Sequence, residues 1–233
     1  MDMKRFCFVV CIALLSHGCI GFTRSVVDIE VDSLANPAGT KVVVLGKITD
    51  NREFRFSETG EGIGASVARG LLVGPGGVSR THARIPSLET YKDFKNAKIR
   101  ERAIGRFYNQ YGNPFAAVLL PEGRTVQDII RGVLKAALQE AGYRVVDVGA
   151  SEAAGAPVLD AEIHQYWAWT VYEEVGHESS IELKGKWPKK ESEPSILGAS
   201  VSDFTLIATD GVWKSIVKKG NARLRENVTT ALQ

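Results

Sequence analysis

The chain is poor in cysteine, histidine and long apolar runs, and each shortage closes off a class of function. Its three cysteines, Cys7, Cys11 and Cys19, all lie at the amino-terminal end, so the rest of the chain can form neither an internal disulfide nor a thiolate metal centre. Beyond His17 there are only His82, His164 and His177. None of these lies three or four residues from another, and H-E-x-x-H is absent, which removes the usual helical zinc motif. No G-x-S-x-G elbow occurs, so a serine hydrolase has no local support. Gly60-Glu61-Gly62-Ile63-Gly64 lacks the G-K-[ST] that a phosphate loop needs and follows no strand directly. No cofactor and no metal are expected. Charge of one sign is missing too: 29 basic residues face 27 acidic ones, a balance that leaves no electrostatic footprint for nucleic acid.

The longest uncharged apolar stretch is Phe6 to Leu15, about half of the roughly 20 residues that a membrane-spanning helix requires. It follows Lys4-Arg5, so the layout is that of a secretory signal: a basic start, a short apolar core and a cleavage region. That region, Leu15-Ser16-His17-Gly18-Cys19, resembles the lipobox of bacterial lipoproteins, in which a small residue precedes a cysteine that receives diacylglycerol. His17 is unusual in it. The expected product is cut before Cys19, carries lipid on that residue and keeps no other cysteine. Ile20 follows Cys19 where an aspartate would favour retention at the inner membrane, so the expected location is the inner leaflet of the outer membrane, facing the periplasm.

Removing residues 1–18 leaves 215 of the 233 residues and, with Lys4, Arg5 and Asp2 gone, a net charge of +1. That is long enough to bury a core without disulfides. Residues 19–40 have little periodic pattern and contain Pro37-Ala38-Gly39, and are expected to form a lipidated tether. The domain is expected over 41–233. Val42 to Leu45 forms a β-branched run that predicts a buried strand reaching about Ile48, with Thr49 to Arg52 a turn. Residues 60–100 hold seven glycines in their first half and scattered charges in their second, and are expected to be a mobile insertion.

Order returns after Ala103. Ala116 to Leu120 reads as a strand, and Thr125 as the N-cap of a long helix: Asp128 completes a capping box, and Val126, Ile129, Ile130, Val133, Leu134, Ala137, Leu138 and Ala141 recur at helical spacing. Gly142 stands where a C-terminal glycine belongs, and a strand from Tyr143 to Val148 follows. Residues 158–172 alternate, with Leu159, Ala161, Ile163, Gln165, Trp167, Trp169 and Val171 on one face. Strands are expected over Ile181 to Trp187 and Ser200 to Thr209, joined by a charged hairpin. Asp210-Gly211 reads as a turn into Val212 to Val217, and a short helix is expected after Asn221. The fold class is α+β: a mixed or antiparallel sheet packed by one long amphipathic helix.

The lipobox, the Val-rich strand running into Asp50-Asn51-Arg52, Ile104-Gly105, Asn109-Gln110-Tyr111-Gly112, the long helix and the closing Gly142-Tyr143-Arg144-Val145 together resemble the YajG-type family of Gram-negative envelope lipoproteins. The resemblance spans about residues 40 to 210. This chain differs from it in the long insertion between Arg52 and Ile104. What the resemblance implies is an envelope lipoprotein with an α+β domain, and no particular activity.

Four residues beyond Cys19 are candidates for binding or for structure. Asp50 and Arg52, which can face one side of an extended turn, can form a bidentate ion pair that pins the loop or, alternatively, serves catalysis. Trp167 and Trp169 share a strand face, as a core stripe or as an aromatic platform for a glycan or a partner protein. His164 beside Glu162 reads as a hydrogen-bonded surface residue. The function expected is non-enzymatic: a membrane-anchored module that binds or scaffolds another envelope protein or a glycan. The alternative is a periplasmic hydrolase using acids such as Asp160, Glu162, Glu173 and Glu174.

Overall fold

The structure is a computed structural model and describes residues 24–31, 39–54, 96–108, 114–171, 176–188, 194–205 and 209–233. The lipobox with Cys19, the glycine-rich stretch, Asn109 to Asn113, Glu173-Glu174 and the charged hairpin centre at 189–193 lie outside these residues.

Eight strands form one mixed sheet: β1 (Arg24–Val26), β2 (Lys41–Asp50), β3 (Ala103–Tyr108), β4 (Pro114–Leu119), β5 (Tyr143–Val146), β6 (Val158–Val171), β7 (Gly176–Gly185) and β8 (Ser195–Phe204). Among the described residues three α-helices accompany them: α1 (Ala97–Arg100), α2 (Val126–Glu140) and α3 (Asp210–Leu232). The order across the sheet is β1-β4-β3-β6-β2-β5, with β7 beside β6 and β8 beside β7. Strand β6 organises it. β7 runs antiparallel along one of its edges from Ala161 to Val171. The other edge is shared end to end by two parallel strands: β2 pairs with Val158 to Ile163, and β3 with Ala168 and Trp169.

The expected α+β class, a mixed sheet packed by a long amphipathic helix, is the one observed, and among the described residues a second long helix lies beside the expected one. α2 begins as its sequence dictates, with Thr125 Oγ1 accepting from Asp128 N and the Asp128 carboxylate accepting from Thr125 N at 2.9 Å. Gly142 follows its end at φ +86°, a backbone shape that a side chain disfavours. α3 replaces the expected turn, extended segment and short helix by 23 continuous residues capped by Thr209. Its buried residues, Trp213, Ile216, Val217, Gly220, Asn221, Leu224, Val228 and Leu232, keep helical spacing throughout. Gly220 is small for a reason: a Cβ there would stand 2.7 Å from Ser179 Oγ on β7.

A second correction concerns the tether. Residues 24–31 belong to the fold: β1 pairs in parallel with β4, Val27 and Ile29 are buried in the core, and the Ser25 hydroxyl donates to Asp210 at the start of α3. At the far end of the expected insertion, Asn96 caps α1, so residues 96–100 are ordered structure.

Most of the apolar interior lies between one sheet face and helices α2 and α3, where Val43, Leu45, Ile104, Ile130, Leu134, Ile163, Tyr166, Ala168 and Leu224 meet. A smaller cluster on the opposite face gathers Ala103, Ala117, Leu119, Trp167 and Trp169, with Phe54 and Ile99 against it. The division corrects the expected alternation of β6. Its register slips between Ile163 and Gln165, and one extra residue at such a bulge exchanges the two faces. Leu159, Ala161 and Ile163 therefore point to the helices, while Trp167 and Trp169 point away and Tyr166 and Ala168 take their place.

Candidate binding cleft

Strand β2 ends at Asp50, and the chain continues in extended form past Asn51, whose N–H donates to Ile163 O at 2.9 Å. At this point β6 has lost one parallel neighbour and not yet gained the next. The side chain of Arg52 occupies the gap. Its Nη1 donates to Ala103 O at 2.6 Å, at the start of β3, and to Tyr166 O at 3.2 Å on β6. Nη2 donates to Arg100 O at 2.8 Å, at the end of α1. Nε and Nη2 each donate to one oxygen of Asp50, both at 2.8 Å, which is the bidentate geometry the two-residue spacing allows. All five N–H groups of the guanidinium are thereby used.

The pair is buried unevenly, with side-chain exposures of 1% for Arg52 and 13% for Asp50. A charge so placed needs its partners, because losing one of them in a buried ion pair costs about 3–5 kcal/mol. The Phe54 ring closes over the cation, its centroid 5.1 Å from Arg52 Cζ, and meets Trp167 edge-on at 6.4 Å.

Above this floor is a cleft of about 340 Å³ lined by Asp50, Arg52, Phe54, Ala97, Arg100, Glu101 and Gln127. α1 supplies Ala97 and Arg100, with Glu101 as its C-cap. α2 supplies Gln127, oriented by donation from Nε2 to Ile48 O at 3.2 Å. The lining charges cancel, two acids against two bases, so the cleft suits a neutral polar or mixed ligand more than a strongly charged one.

The other candidates fall elsewhere. Trp167 and Trp169 are each 2% exposed, so their rings are core and not an open platform. Glu162 and His164 are hydrogen-bonded at 3.1 Å on the surface, as expected. Asp160 accepts from Lys47 N at 2.6 Å, which ties β6 to β2. Among the described residues no three His, Cys, Asp or Glu side chains converge as a metal site requires. No described helix is long and apolar enough to cross a membrane.

Several buried polar residues had no sequence signal beyond an interrupted apolar pattern. Arg106, wholly buried, and Glu178 lie at register positions on either side of Trp169, on β3 and β7. On the helix-facing side His177 is 2% exposed and meets the Trp213 ring edge-on at 4.8 Å. Burial holds its imidazole below the usual histidine range, against a smaller upward pull from Asp203. Tyr166 donates its hydroxyl to Asn221 Oδ1 at 3.1 Å, and burial raises its phenol well above the usual range.

No protein-family model matches the chain, and no curated protein matches it. Among solved structures, one similar fold is that of an uncharacterised protein, at a TM-score of 0.46 and 7% identity over 91% of this chain and 99% of the other. Another is a DUF330 family protein from Xanthomonas campestris, at a TM-score of 0.38 and 9% identity over 90% of this chain and 88% of that one. Neither likeness carries a role to this chain, and the YajG-type resemblance rests on the residues quoted for it.

Proposed function

We propose that this chain is a lipid-anchored envelope protein that acts by binding, with the cleft beside Arg52 as its recognition site. The observation that carries the reading is the full commitment of the charges on the cleft floor. Every N–H of Arg52 and both oxygens of Asp50 are engaged within the fold. A floor fixed by five hydrogen bonds is a preformed surface for a ligand. The rest of the lining is of mixed character: Phe54, Ala97, Arg100, Glu101 and Gln127. Such a lining fits a segment of peptide or glycan from an envelope component. The acids counted toward hydrolysis are otherwise occupied where they are described: Asp160 on a backbone amide, Glu162 on His164.

Anchoring through Cys19 gives this site its setting. β1 starts at Arg24, and five residues of extended chain reach at most about 18 Å. The domain is then held against the membrane surface and not at the end of a long tether. Two acyl chains or more anchor far better than one, at about 0.8 kcal/mol per buried methylene.

A photo-reactive amino acid in place of Arg100 tests the reading in intact cells. The expected result is a discrete adduct with one envelope component, absent when Ala97→Trp fills the cleft and absent when the probe replaces exposed Lys135. The same adducts from both positions, or none from the cleft, would overturn it.

A further inference from the structure

The last strand of the sheet carries an independent inference. Among the described residues β8 pairs with β7 alone. That pairing runs without a register break from Gly185↔Ser195 to Gly176↔Phe204, so β8 is a regular ten-residue strand. Edge strands are normally guarded against further pairing by lysine, proline or a bulge. From Ser195 to Ser202 this one has no charge, no proline and no bulge. Its first charge is Asp203, which is engaged by Lys219 at 2.5 Å. Among the described residues the edge is guarded by Asn227, which donates to Gly198 O at 2.7 Å and leaves that carbonyl a second lone pair.

The side chains of β8 divide by face. Leu197 and Val201 pack against the main core and Ala199 is buried in it. On the other face Ile196 and Phe204 are 60% and 71% exposed, two of the few large apolar side chains left open among the described residues. Both stand four residues from Ser200, which is itself exposed. This spacing is self-complementary. If a second β8 runs antiparallel with Ser200 opposite Ser200, each Ile196 lies opposite a Phe204, and Gly198 lies opposite Ser202. On the other face Ala199 meets Val201 and Leu197 meets Asp203, so no like charges oppose. An aromatic ring against a β-branched side chain is among the favourable cross-strand pairs, and two-fold symmetry forms it twice.

We propose that β8 is the site at which a second copy of this chain adds to the sheet, antiparallel and centred on Ser200. The contact is that of one strand pair and so belongs with small, reversible interfaces. It does not involve the cleft.

Cysteine cross-linking on the full-length protein in membranes tests it. At the two-fold axis the opposed α-carbons are about 4.5–5.5 Å apart, within disulfide range. Ser200→Cys is therefore expected to give a covalent homodimer under mild oxidation. Ser202→Cys places its two copies four residues apart along the strand, about 13 Å, and is expected to give none. Adding Phe204→Lys to Ser200→Cys removes the apolar pair and opposes its burial, and the dimer should fall about tenfold or more, with circular dichroism unchanged. Equal cross-linking of the Ser200→Cys and Ser202→Cys variants would overturn the proposal. So would a Ser200→Cys adduct to a different protein, or no adduct in folded protein.

Discussion

Arg52 Nη1 donates to the carbonyl of Tyr166 at 3.2 Å, at the one stretch of β6 where β2 has ended and β3 has not begun. A side chain there does what a strand backbone does elsewhere. It satisfies a buried carbonyl and joins β2, β3, β6 and α1 at one point, and it forms the floor of the cleft.

Replacing Arg52 should be costly in either of two ways. Arg52→Met leaves the Asp50 carboxylate without its guanidinium partner and three carbonyl oxygens without their side-chain donor, and is expected to lower stability by about 3–5 kcal/mol. Arg52→Lys keeps the charge but has three donors and no planar fork, so it should recover less than half of that loss. Urea unfolding of the three proteins gives the comparison. A lysine variant as stable as the parent would mean that charge alone matters at this position.

The contact of α3 with β7 depends on two small side chains. Gly220→Val would push a Cβ to within 2.7 Å of Ser179 Oγ and 3.5 Å of Ile181 Cδ1, at an expected cost of about 1–3 kcal/mol. Ser179→Gly in the same chain should return part of it, since the two sites touch. Additive losses in a thermal-unfolding double-mutant cycle would count against this packing.

Much of the fold can be read from local pattern, and the exceptions have physical causes. Thr125 and Asp128 declare the start of α2 because a capping box involves only its own residues. The full length of α3 is not legible locally because Lys218, Lys219, Gly220 and Asn221 interrupt its apolar stripe, although Gly220 and Asn221 are interior residues facing β7 and β6. Val27 and Ile29 alternate with Asp28 and Glu30 over too few residues to distinguish a strand entering the core from a tether. The faces of β6 were exchanged by a bulge that no composition signals. At the cleft the Asp50–Arg52 pair was legible from its spacing of two. The carbonyls that complete it come from residues 48, 51 and 114 positions away, and only the sheet brings them together.

His177 should make stability depend on pH. In the unfolded chain an imidazole titrates near its ordinary value of about 6.5, and in the fold burial holds it lower, with Asp203, itself bound to Lys219, pulling weakly the other way. Below that ordinary value the unfolded state binds more protons than the folded one. Stability is thus fully present above about pH 6.5 and declines as pH falls, until the lowered folded-state value is reached, by at most about 1.4 kcal/mol per unit. His177→Phe keeps a ring against Trp213 and should flatten this part of the profile. Melting temperatures at about pH 7.5 and pH 5 measure it; an equal drop in both proteins would exclude His177 as the group.

Lipid on Cys19 is tested most directly by the mass of the amino-terminal peptide from membrane-extracted protein. The predicted result is a peptide beginning at Cys19 with a diacylglyceryl group, with or without a third acyl chain on its amine. The protein should also resist release by high salt, since a near-neutral domain has no electrostatic hold on the membrane. Cys19→Ser should abolish both the modification and the cleavage. An unmodified Cys19 peptide, or mature protein washed off by salt without detergent, would contradict lipid anchoring at this residue.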